Sequence, residues 1–266
     1  MSTLHHVIDL EWMQEAYRLT RKDGAPGIDG VTADEYATNL DANLLDLLDR
    51  IKSGRYQAPP VRRAYIPKTD GSWRPLGIPT FEDKVAQRAI VMVLETVYEQ
   101  DFLPCSFGFR PGRSAHQALQ YLRTGLMSQR LRWVIDIDIE KYFDSIPHSQ
   151  LRDFLDQRVT DGVIRRMIDK WLKAGILEDG LPRHTTEGSP QGGVISPFQI
   201  RWATGSPLLC RCPARNLGFT EPCDHWFRRC ACATSGHAAA AALPRSMMNL
   251  RRLIACPPRP RIMGSL

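Results

Sequence analysis

The stretch Asp136-Ile137-Asp138-Ile139-Glu140-Lys141-Tyr142-Phe143-Asp144, led in by Trp133-Val134-Ile135, decides how this chain is read. From Trp133 to Ile139 the positions alternate. Trp133, Ile135, Ile137 and Ile139 fall on one face of a strand, and Val134, Asp136 and Asp138 fall on the other. A strand backed by apolar side chains and carrying carboxylates on its second face suits phosphoryl-transfer chemistry. Two divalent ions about 3.5–4 Å apart can then stabilise the attacking and leaving oxygens of an in-line displacement. Mg2+ takes carboxylates together with substrate phosphates as ligands. Taken alone, Asp-x-Asp on a strand is more often just the polar face of a sheet, so the flanking sequence has to decide.

Upstream, residues 61–79 (VRRAYIPKTDGSWRPLGIP) read as a β-hairpin, with Asp70-Gly71 as the turn signal and prolines that suit edge strands. Lys68 and Arg74 on its two arms can close over a triphosphate and neutralise charge during transfer. A solvated basic hairpin is the bland alternative. Phe107-Gly108-Phe109-Arg110-Pro111-Gly112-Arg113-Ser114 interleaves aromatics with arginines just before a helix start. That pattern suits contacts to a nucleic-acid backbone and bases through Arg110 and Arg113, or a core-anchored loop with surface arginines. Downstream, Gly188-Ser189-Pro190-Gln191-Gly192-Gly193-Val194-Ile195-Ser196-Pro197 reads as a loop. Its glycines allow close approach to the backbone, and Gln191 offers both a donor and an acceptor. An ordinary turn would look similar.

Helical periodicity fills most of the rest. Asp9–Lys22 carries Trp12, Met13, Ala16, Tyr17 and Leu19 at helical spacing. Thr32 and Glu35 form a capping box, Leu40 to Ile51 continue a helix, and Gly54 ends it. Lys84–Gln100 is strongly amphipathic, Ser114 and Gln117 cap another helix, and His148–Arg158 and Asp161–Lys173 follow.

The net charge of +6 and pI near 9.0 invite a nucleic-acid reading, but the excess lies in the wrong place. Residues 198–266 hold ten Arg, no Lys and two acids, Glu221 and Asp224, whereas residues 1–197 hold 25 basic and 27 acidic residues. Six of the seven cysteines and seven of the 19 prolines also lie beyond Pro197, where no period of two or 3.6 is sustained. Two sequence populations therefore meet near Pro197. The later one reads as an atypical Cys/Arg/Pro-rich tail, expected to be disordered. Its Cys210-x-Cys212, Cys223, His225, Cys230-x-Cys232 and His237 resemble zinc ligands only loosely, because Cys-x-Cys pairs fit structural zinc poorly. No apolar stretch is long enough to span a bilayer, and Met1–Leu10 lacks a secretory pattern, so a cytoplasmic protein without a membrane partner is expected.

In this order and spacing the blocks resemble a known family, the reverse transcriptase–maturase proteins encoded by group II introns. GAPGIDGVT, YIPKTDGSWRPLGIPTFEDKVAQRAI, FLPCSFGFRPGRSAHQAL, DIDIEKYFDSIPH and EGSPQGGVISP are similar to its successive blocks, from Met13 to Pro197. The resemblance implies an α+β fold with an N-terminal extension (1–60), fingers (61–135) and part of a palm with an antiparallel sheet (136–197). It implies that Asp138 and the Ile139 carbonyl hold Mg2+ and that Lys68 and Arg74 contact the triphosphate. Phe143 would block a ribose 2′-OH, and Gln191 would line the nucleotide pocket. Asp136 and Asp144 would be structural. Intron RNA template, DNA primer and deoxynucleoside triphosphates are the implied partners. One departure matters: the family continues into a hairpin carrying Tyr-x-Asp-Asp, whose carboxylates complete the metal site. This chain contains no Asp-Asp pair. An RNA-directed DNA polymerase by descent, inactive as it stands and altered by a frameshift after Pro197, is the expectation. The alternative is a non-catalytic fragment that binds intron RNA.

Overall fold

The computed structural model describes residues 3–69, 71–128, 133–139, 147–178, 181–183, 188, 192–196 and 248–255, with 133–139 and 248–255 described as backbone. A 3-10 turn (Leu4–Val7) leads into helices α1 (Leu10–Leu19), α2 (Ala33–Ala37) and α3 (Leu40–Ser53). Strands β1 (Val61–Pro67) and β2 (Trp73–Ile78) follow, then α4 (Phe81–Tyr98), α5 (Ala115–Ser128) and β3 (Trp133–Ile139). The chain continues through α6 (His148–Asp156), α7 (Gly162–Lys173), β4 (Ile176–Glu178) and β5 (Leu181–Arg183) to β6 (Met248–Ala255). The fold is α+β, as the sequence led us to expect. It divides into two compact units. The first comprises Met1–Phe102 with Phe143–Ser206, and the second Leu103–Tyr142 with Pro207–Leu266.

In the first unit the helix boundaries follow local chemistry. Asp9 caps α1, its carboxylate accepting from the Trp12 amide at 2.8 Å. The sequence suggests a helix through Lys22, but the helix stops at Leu19. Thr20 adopts extended backbone, and its hydroxyl donates back to the Ala16 carbonyl at 2.7 Å. The Thr32–Glu35 capping box forms as read. What the sequence suggests is one helix from there to Gly54 is broken at Asn39 (φ −127°) into α2 and α3. Gly54 ends α3 in the left-handed conformation that glycine adopts at no cost (φ 77°).

Helix α4 is the axis of this unit. Twelve of its 18 residues are buried, among them Val85, Ala89, Ile90 and Leu94. The Trp12 indole on α1 donates to the Ala89 carbonyl at 3.0 Å. Arg50 on α3 bridges Glu82 at 2.5 Å and Asp46 at 2.7 Å. The early turn packs closely here too, since a Cβ on Gly27 would lie 2.5 Å from the Thr80 Cα. At α7, Asp161 caps the helix through the Val163 and Ile164 amides and also accepts from the backbone and ring of His5. Burial opposes its charge, but these bonds outweigh it and hold the carboxyl below the usual range.

Residues 61–79 form the expected hairpin, antiparallel from Arg62↔Ile78 to Pro67↔Trp73. The sheet is larger than the sequence indicates, because β4 pairs parallel with β1 at Val61↔Ile176 and antiparallel with β5, giving the order β2-β1-β4-β5. Three-residue strands are too short to show a period of two.

In the second unit, β3 forms where the alternation predicts it. It pairs antiparallel with β6, from Trp133↔Ala255 to Ile139↔Met248. The register steps from Asp136↔Arg252 to Ile137↔Leu250, so the extra residue, Arg251, belongs to β6 and the alternation along β3 is unbroken. Strand β6 lies inside the tail, in a segment whose sequence gives no strand signal.

Candidate active site

The basic hairpin displays its cations. Lys68 and Arg74 are both exposed. The Lys68 amide donates to the Ser72 carbonyl at 2.8 Å, and Gly71 (φ 81°) donates to the Lys68 carbonyl at 3.1 Å, closing the turn tightly. Tyr65, Ile66 and Trp73 on the same hairpin are about half exposed or more, at 52%, 48% and 63%. An exposed patch that combines apolar rings with cations suits a ligand with a charged chain and flat bases.

The glycine loop sits against the base of the hairpin. Gly192 adopts φ 111°, and a Cβ there would come within 2.9 Å of the Gly77 carbonyl oxygen on β2. Glycine is required on both counts. The loop is held at two further points. His148 Nε2 lies 2.7 Å from the Gly188 carbonyl, and the Ile195 amide donates to Gln87 Oε1 at 3.2 Å. Gln87 in turn donates from Nε2 to Asp83 Oδ2 at 3.0 Å. Asp83 Oδ1 accepts from the Trp171 indole at 2.6 Å and from the Tyr56 hydroxyl. Burial raises the Asp83 carboxyl to about 6, against the pull of these three donors, and raises the Tyr56 hydroxyl as well.

Our sequence reading missed this network. Its signal was present: Asp83 and Gln87 lie four apart within the apolar stripe of α4, where a polar residue needs a buried partner. Gln191 itself lies outside the described residues, as do Phe143 and Asp144. The loop that would carry Gln191 is described on both sides of it.

In the second unit Asp138 stands on β3 opposite Asn249, next to Ile139 opposite Met248. The Phe107–Ser114 block turns its two arginines to different uses. Arg110 is 8% exposed, and its Nη1 donates to the Leu103 and Ser106 carbonyls at 2.9 and 2.8 Å, so it braces its own loop. Arg113 is exposed, with its guanidinium 5.4 Å from the Phe107 ring centre. Phe109 takes a positive φ of 54° and is 68% exposed. The Ser114–Gln117 capping box then opens α5.

Among the described residues, no group of three or more His, Cys, Asp or Glu is placed to hold a metal. No helix among the described residues is long and apolar enough to cross a membrane.

Residues 66–206 match the family described as reverse transcriptase (RNA-dependent DNA polymerase), a match that runs past Pro197. The chain is 44% identical over 194 residues to protein YkfC of Escherichia coli K12, covering 71% of this chain and 51% of that protein. It is 40% identical over 173 residues to the group II intron-encoded protein LtrA of Lactococcus lactis subsp. cremoris, covering 65% of this chain and 28% of LtrA. It is 31% identical over 110 residues to nuclear intron maturase 2, mitochondrial, of Arabidopsis thaliana, covering 40% of this chain and 15% of that protein. The chain belongs to the reverse transcriptase family, in the group II intron-encoded branch of reverse transcriptases and maturases. It spans about half the length of YkfC and less than a third of LtrA.

Proposed function

We propose that the chain is by descent an RNA-directed DNA polymerase of a group II intron, and that it does not polymerise as it stands. Residues 1–60 are an N-terminal extension, 61–135 the fingers, 136–197 part of the palm, and 198–266 an atypical Cys/Arg/Pro-rich tail. Lys68 and Arg74 receive the triphosphate of a deoxynucleotide, Gln191 lines its pocket, and Phe143 excludes the ribose 2′-OH. Asp138 and the Ile139 carbonyl are the Mg2+ ligands, and Arg113 touches nucleic acid while Arg110 supports its loop. The metal would supply charge neutralisation at the transferring phosphoryl. Two-metal chemistry needs further carboxylates, and the chain has no Asp-Asp pair to provide them. Loss of a charged metal ligand costs orders of magnitude in rate.

The observation that carries this reading is the exposed Lys68/Arg74 hairpin with the glycine loop packed on it at Gly77. A second reading, binding of intron RNA without catalysis, is favoured by the maturase among the relatives. Both are tested with purified chain, Mg2+, deoxynucleotides and a DNA primer on an RNA template, beside gel shifts with intron RNA at graded salt. We expect RNA binding and no primer extension. Extension would overturn the inactivity, and absence of RNA binding at low salt would overturn both readings.

A further inference from the structure

We propose that Asp83 and Gln87 form a polarity relay that sets the glycine loop, making both of them positioning residues for the nucleotide pocket. The proposal rests on the reading of that loop as part of the pocket. Its basis is the direction of each hydrogen bond. The Ile195 amide can only donate, so the Gln87 atom facing it must be the carbonyl Oε1. That leaves Gln87 Nε2 facing Asp83, which must therefore accept. Asp83 already accepts from the Tyr56 hydroxyl and the Trp171 indole, so as a carboxylate it takes three donors and offers none. An acceptor-only group at position 83 thus fixes which end of the Gln87 amide meets the loop.

The site is closed to substitutes. Gln87 is 3% exposed, Asp83 1% and Ile195 3%. Water has little access to replace a lost partner, and a reversed amide would point Nε2 at the Ile195 N–H, donor against donor. Gly193 passes close by, since a Cβ there would lie 3.1 Å from Gln87 Oε1. A second clamp, His148 to the Gly188 carbonyl, holds the other side. Gly188 and Ile195 are thereby held by side chains from α6 and α4.

The relay makes a prediction that simple packing does not. In Asp83→Asn the Tyr56 and Trp171 donors hold the amide oxygen, which turns the amide nitrogen toward Gln87, so Gln87 must reverse or lose its bond, and the loop is released. Adding Gln87→Glu restores the pattern. The new amide at position 83 then donates to one oxygen of the new carboxylate at position 87, and the other oxygen accepts from Ile195. Amide hydrogen exchange on the full chain, followed by NMR, reads this directly. Ile195 protection should fall about ten-fold or more in Asp83→Asn and in Gln87→Met, and recover most of that loss in the double variant. Protection at Ile90 and Leu94 in the α4 core reports whether each variant is folded. Should Asp83→Asn not fold, Gln87→Met alone carries the test. Unchanged Ile195 protection in folded Gln87→Met, or a double variant no better than folded Asp83→Asn, would overturn the relay. Adding dGTP with Mg2+ separates the two readings: a relay that behaves as stated while the loop amides ignore nucleotide supports the relay and overturns the pocket.

Discussion

Helices α4 and α5 look alike in sequence and differ in the structure. Both are amphipathic, and both open on a side-chain cap, Thr80 for α4 and Ser114 for α5. Yet α4 buries twelve residues and α5 none. On α5, Leu119 is 65% exposed and Met127 55%, while Leu94 on α4 is fully covered. Periodicity tells that a helix has an apolar face, and it does not tell what covers that face. The largest effect that would sharpen the contrast is Leu94→Ala, which should cost about 2–5 kcal/mol by lost burial and a residual cavity. Urea unfolding followed by tryptophan fluorescence measures it. A loss well under about 1 kcal/mol would show that α4 is not the core of its unit.

The polar residues of α4 give a second test. Asp83 is buried among Tyr56, Trp171 and Gln87, with Glu82 next to it raising its carboxyl further and itself paired to Arg50. Its carboxyl sits at about 6, above the ordinary carboxylate range. The folded chain therefore keeps this proton at pH values where the unfolded chain has lost it. The associated stability is fully present below about pH 4 and is lost as pH rises through 6, on the order of 3 kcal/mol in all. Asp161 does not confuse the window. Its carboxyl is lowered, so its contribution is lost only on acidification below the ordinary range. Urea midpoints between about pH 4 and 7 should fall with rising pH in the wild type and flatten in Asp83→Asn. Equal slopes would remove Asp83 as the titrating group. The carboxylate that orients Gln87 is thus a cost to the fold at neutral pH, a cost of the kind expected where a polar group specifies geometry.

Much of this was legible beforehand because it depends on local chemistry. Asp70-Gly71 announced the hairpin, alternation announced β3, and Thr32/Glu35 and Ser114/Gln117 announced helix starts. The blocks also announced the family. What was not legible depends on distant partners. The pairing of β1 with β4 joins residues more than a hundred positions apart and leaves no local trace. Arg110 reads as a surface cation, but it turns inward to two carbonyls that the sequence cannot place beside it. Asp83 and Gln87 were visible as polar residues in an apolar stripe, but Trp171, Tyr56 and Ile195 were needed to explain them.

The smallest expected effect returns to α5. Its apolar side chains at Leu119, Leu122 and Met127 are exposed, and removing one should change stability very little. Leu119→Gln replaces an exposed leucine with a residue of similar helix propensity, so the Ser114–Gln117 cap and the helix itself are retained. The expected change is within about 0.5 kcal/mol, against several for Leu94→Ala. A cost above about 1 kcal/mol would mean that Leu119 is covered in solution and that α5 has a packing partner within the chain. The contrast between the helices would then vanish, and α5 would join α4 as a core element. A null result keeps α5 as a helix to whose stability the exposed Leu119 adds little.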